Sequence, residues 1–176
     1  CPVMGVSKSV NSAFLGQPSL GGWLTPALFG VVQAALVAAV VSWGVGIVPA
    51  NAVGTVAFMA LVSVTFIAIL HALNAWFGPV GQFLGLILMI LQLVSGGGTF
   101  PWQTIPGPLH ALHHALPMTY TVEGLRHLLY GGDLSVAAAD TTVLLGFLVG
   151  SLALTTLAAR RARVWTVSRI KPELVL

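Results

Sequence analysis

Three histidines, His110, His113 and His114, stand close together in the stretch LHALHHAL that starts at Leu109. Spacings of three and four can put two or three imidazoles on one side of a short helix, an arrangement able to hold zinc. No cysteine lies near them and no HExxH pattern occurs, so exposed surface histidines are the plainer reading, and no metal or other cofactor is expected. His71 and Asn74 lie one helical turn apart in an apolar run, with Ser63 and Thr65 farther along it. Ionisable residues in such runs mark either a pathway or an interhelical hydrogen bond. A hydrogen-bonded packing histidine is the simpler account. Glu123 and Arg126, three apart, can pair across one turn of a helix, a contact worth little on a wet surface. Their expected role is to fix the docking of the segment that carries them. The glycine-lysine signature of a P-loop is missing, so the chain supplies no ATP site of that kind. No pair of carboxylates sits within an apolar run to relay protons, and Ser95-Gly96 lacks the context of an intramembrane serine protease. The chain is not expected to be an enzyme.

These residues sit in a composition that leaves one class open. Of 176 residues, 57% are hydrophobic and 6% charged, with a mean hydropathy of +0.97. Soluble domains carry about 25% charged residues. The chain is therefore read as an all-α integral membrane protein. After Lys8 no Asp, Glu, Lys or Arg occurs until Glu123, whereas Arg160, Arg161, Arg163, Arg169 and Lys171 crowd the end. The pI near 9.6 thus reflects a basic tail facing anionic headgroups, and no nucleic-acid partner is expected. Cys1 is the sole cysteine, which excludes an intrachain disulfide. The missing initiator methionine is what a processed or truncated product would show.

Hydrophobic runs divide the chain. Residues 1–22 form a small, polar lead-in with an interfacial helix expected near Val10 to Leu15. Spans are expected over residues 23–48, 52–76 and 80–95; the first two exceed the roughly 20 residues that cross the hydrocarbon, and the third is short unless its helix continues toward Phe100. Trp23 and Trp43 mark the ends of the first, where indoles favour the interface. Residues 96–140 interrupt the series. Gly96, Gly97 and Gly98 weaken the helix by about 1 kcal/mol each. Pro101, Pro106, Pro108 and Pro117 then forbid a long uninterrupted one. An amphipathic piece from Thr121, with Leu125, Leu128 and Leu129 on one face, completes what reads as a hairpin of short helices, re-entrant or interfacial. Asp133 to Ala139 reads as a polar lead to a last span over residues 141–159, and residues 160–176 as a basic cytoplasmic tail. Four crossings with the arginines inside place both termini in the cytoplasm and the hairpin outside. Gly81–Gly85 and Gly146–Gly150 are small-xxx-small pairs suited to close helix packing.

The run FGPVGQFLGLILMILQLVSGGGTFPWQTIPGPLHALHHALPMTYTVEGLRHLLYGG resembles the closing membrane region of the phage-infection-protein family (YhgE/Pip), which is similar to the type 2 ABC exporter membrane domains. The matching features are Phe77, Gly78 and Gly81 in the turn, the block from Gln92 to Pro101, and Leu116 to Arg126. The resemblance implies external re-entrant helices built on a proline-and-tyrosine element, here Pro117 and Tyr120, ahead of the last span. It implies that these are the last four of six spans, without the large outer domain of family members. It implies a permease-like part of an exporter in a bacterial cytoplasmic membrane, paired as a homo- or heterodimer of membrane halves and energised by a separate ATPase subunit. The charge-free spans favour a lipidic, amphiphilic or secreted cargo. The alternative is a non-transporting anchor for secretion-machine or cell-envelope components, or a phage-adsorption surface.

Overall fold

The computed structural model describes residues 20–96, 113 and 115–163. The expected lead-in helix near Val10 to Leu15 and the tail beyond Arg163 lie outside them. Among the described residues the fold is wholly helical. Helix α1 spans Leu20–Ala39 and continues as a π-turn, Val40–Gly44. It is followed by α2 (Ala52–Phe77), α3 (Pro79–Ser95), α4 (Pro117–Tyr130) and α5 (Leu134–Arg163).

The boundaries follow from local chemistry. Asn51 caps α2, its side chain accepting from the Gly54 amide at 2.9 Å. Pro79 and Pro117 occupy the first turns of α3 and α4, where the missing N–H is no loss. Gly131 ends α4 in the left-handed conformation (φ 74°), and the Gly132 amide reaches back to the His127 carbonyl at 2.9 Å, a Schellman closure. Asp133 then caps α5 by accepting from the Ser135 amide at 2.8 Å. The residues expected as a polar lead, Asp133 to Ala139, are therefore a cap and the first turns of a continuous 30-residue helix. The first span also departs from expectation, because its regular helix stops at Ala39 and its C-terminal end is a π-turn.

Three helical segments are long and apolar enough to cross a membrane: Gly22–Gly44, Ala52–Phe77 and Leu134–Arg161. The 17-residue α3 is apolar but rises only about 26 Å, against a hydrocarbon core of about 30 Å. Gly78 alone joins it to α2, so α3 runs back along α2 and stops roughly 13 Å short of its start. Helix α4 takes up the remaining height. Met118 packs on Gly96 at the end of α3, and the other end of α4 reaches the α1–α2 turn. Helix α2 is the centre of the fold, in contact with all four others.

Packing is inverted relative to a soluble core. Phe29, Val53, Phe83 and Val149 are exposed, while Thr55, Thr65, Gln92, Ser95, Thr119, Ser151 and Thr155 are buried. Lipid tails are as apolar as leucine, so helices associate through small residues and self-satisfied hydroxyls. Thr65, Ser95 and Thr155 each donate to the carbonyl four residues back, at 2.8 to 2.9 Å. A small apolar cluster of Phe58, Leu128, Ala137 and Leu144 joins α2, α4 and α5.

Gly81 shows how close the approach is: a Cβ there would lie 2.1 Å from the Leu73 carbonyl oxygen. Backbone cannot rotate away, so Gly81→Leu is expected to cost at least about 1–3 kcal/mol, read as a lowered Tm in detergent. Gly146 has open space around it, and Gly146→Ala should leave Tm unchanged or raise it.

Candidate functional site

The polar interior concentrates where α3 ends and α4 begins. The Gly96 amide donates to the Gln92 carbonyl at 2.8 Å, and no Cβ would fit at Gly96 beneath Met118. His113 is buried against this end, with Nδ1 2.6 Å from the Ser95 carbonyl oxygen. A carbonyl only accepts, so Nδ1 carries the proton at this bond. Thr119 lies 3.3 Å from the same nitrogen and donates its hydroxyl to the His113 carbonyl. Thr121 donates back along α4 to the Pro117 carbonyl at 3.0 Å. The polar side chains buried at the α3–α4 junction thus each take a backbone carbonyl as partner. Gln92 is the exception. It is 1% exposed, and neither amide atom has a partner among the described residues.

A second polar group lies between α4 and α5. Asp140 is buried, with one carboxylate oxygen unpartnered, and Glu123 and His127 of α4 are the charged side chains that act on it. The His127 ring packs over Gly132 so closely that a Cβ there would collide with Nδ1. Asp133, at the exposed end, is held below the usual carboxylate range first by the Ser135 amide, then by the Ser135 hydroxyl.

Beside these lies an apolar groove of about 420 Å³ between the C-terminal part of α1, the start of α2 and α4. A smaller hollow of about 260 Å³, lined in part by Gln33, Ser63 and Thr121, shares Val37, Met59 and Leu125 with it.

The structure distributes the sequence candidates unevenly. Gly96 and Pro117 meet at the α3–α4 junction, with Tyr120 half-buried one turn into α4. Glu123 and Arg126 are exposed, and no ion pair between them occurs among the described residues. His71 is partly buried with Nε2 unpartnered, while Asn74 is exposed and its carbonyl accepts from Gly78 at 2.8 Å. Both sit near the Gly78 turn between α2 and α3. Gly97, Gly98, Pro101, His110 and His114 lie outside the described residues. His113 is no surface histidine: it is spent on the Ser95 carbonyl. Among the described residues no three His, Cys, Asp or Glu side chains gather as a metal site. Sequence reasoning passed over Gln92, Thr119 and Asp140 as site residues. Their signal was a lone amide or carboxylate at the edge of an apolar run, or a threonine two residues after a helix-starting proline.

Comparison with known proteins adds a frame to this geometry. Residues 15–130 match the family model described as ABC-2 type transporter. An 86-residue stretch is 36% identical to the protein YhgE of Bacillus subtilis (strain 168), covering 49% of this chain and 11% of that protein. No solved structure matches the chain.

Substitutions at two positions test the local assignments. Thr119→Val should remove the bond to the His113 carbonyl and lower stability by about 1–2 kcal/mol, seen as a reduced Tm in detergent. The Asp133 cap has a depressed pKa, so its contribution is present above the unfolded value of about 3.9 and lost as pH falls through the lower folded value. Asp133→Ala should therefore lower Tm at pH 7 while its difference from wild type vanishes toward pH 2; Asp133→Asn should retain the cap at both.

Proposed function

The chain belongs to the ABC-2 type transporter family, and on that footing we propose that it is the permease-like membrane part of a bacterial exporter. It sits in the cytoplasmic membrane with both termini inside, as the last four of six spans. Residues 96–140 act as an external re-entrant hairpin. The observation that carries this reading is the layout of α3 and α4: one apolar helix stops short, and the next starts against its end at Gly96 and climbs back to the α1–α2 turn. A proline-led helix in that place suits a segment that closes the outer end of a path between membrane halves. Gly146 and Gly150 face open space on α5, which leaves a small-residue face for a second half. A separate ATPase touching residues 1–22 supplies the energy, and the cargo is lipidic, amphiphilic or secreted.

The test is affinity purification of the full-length protein from native membranes in mild detergent, with mass spectrometry of the co-purifying chains. A stoichiometric ATP-binding subunit is expected. Self-association or secretion components without any ATPase would replace the exporter by a scaffold. In the same strain Tyr120→Ala and Glu123→Ala should each reduce export severalfold while insertion and abundance stay normal; full export by both variants would remove the hairpin from the mechanism.

A further inference from the structure

The groove beside α4 has a shape and chemistry that specify an occupant. Helix α1 loses its regular hydrogen bonding at Val40, where the Val45 amide reaches five residues back at 3.3 Å, and the chain then runs without helix to Ala50. Single π-turns of this kind displace the chain that follows. Beside it lies a cleft of about 420 Å³ lined by Ala38, Trp43, Ala52, Met59, Leu125 and Leu129 among others. Trp43 is 88% exposed, as suits an indole at the membrane interface. The Thr55 hydroxyl is already committed to the Asn51 carbonyl at 2.8 Å. Water needs two to four polar partners to settle in a cavity. Apart from Thr55, Ser42 and the Trp43 indole, every side chain of the lining is apolar.

We propose that this groove holds one acyl chain of a bilayer lipid, in the leaflet on the side of the α1–α2 turn. Helices α1 and α2 both meet the length and composition of membrane spans, so the cleft between them lies at hydrocarbon depth. Lipid tails are the apolar material present there. The apolar lining ends where Gln33, Ser63 and Thr121 begin, which sets how deep a tail can reach. This proposal rests on the spans alone, so its failure would leave the exporter reading standing, and the reverse.

The experiment places the full-length protein in nanodiscs with a phosphatidylglycerol carrying a diazirine in its tail, followed by photolysis and peptide mapping. Labelling at Met59 and Leu125 is expected to exceed that at the exposed α5 residues Val149 and Leu157 by about tenfold, the ratio given by about 1.4 kcal/mol of preference. Ala38→Phe should fill the cleft and bring Met59 to the level of Val149, leaving Val149 unchanged. Equal labelling of Met59 and Val149 in the wild-type protein overturns the proposal, whatever the variant does. So does protection of Met59 accompanied by cross-links between two copies, which would assign the groove to a partner chain.

Discussion

Two backbone hydrogen bonds tie the α1–α2 turn to the end of α4: Ala50 amide to Leu129 carbonyl at 3.0 Å, and Asn51 amide to Leu128 carbonyl at 3.2 Å. The last four carbonyls of a helix have no partner within it, and hydrocarbon offers none. At the end of α4 the His127 carbonyl is taken by Gly132, and Leu128 and Leu129 are taken by the turn between α1 and α2. Asn51 has three roles in that exchange. It donates to α4, its side chain caps α2 at Gly54, and its carbonyl receives both the amide and the hydroxyl of Thr55. The start of the central helix and the end of α4 are thus solved together. The position of α4 against α5, and the π-turn that feeds the α1–α2 turn, depend on that joint solution.

Away from this end, cohesion comes from fit and from polar groups that bring their own partners. Threonine and serine at buried positions donate along their own helices, so they enter a dry interface at little cost. Where a polar group cannot do this it stands out. Gln92, Asp140, His71 and Trp23 each keep at least one buried polar atom without a partner. They lie on α1, α2, α3 and α5, one to each helix, and α4 has none. Helix α4 also has the Thr119 hydroxyl and the Leu128 and Leu129 carbonyls paired with other segments.

Much of this was legible in the residues. Asn51, Pro79, Pro117 and Gly131 are local signals with local mechanisms, and the helices begin and end beside them. The apolar runs were long enough to read as spans without knowing what they pack against. The rest depended on partners distant in sequence. Asp133 looked like the start of a polar lead because its acid is followed by serine and alanines; only the geometry of the Ser135 amide makes it a cap. The π-turn at Val40 has no signature in a valine-rich run. His113 looked like one of three surface histidines because nothing local says that the Ser95 carbonyl waits for it. Gly81 and Gly146 begin identical small-xxx-small patterns, yet one is pressed on backbone and the other faces open space.

The single-residue link at Gly78 bears on the order in which the molecule assembles. With φ 57° and ψ −131° that position suits glycine, and it reverses the chain between two long apolar helices with no loop to order. Loop-closure entropy grows with the length closed, so this pairing is the cheapest long contact available to the emerging chain. The bonds from Ala50 and Asn51 to α4 close a far longer loop and must wait for residues made much later. The α2–α3 pair thus closes with no loop to order, whereas the α1–α2 turn gains its bonds to α4 only once Leu128 and Leu129 are in place.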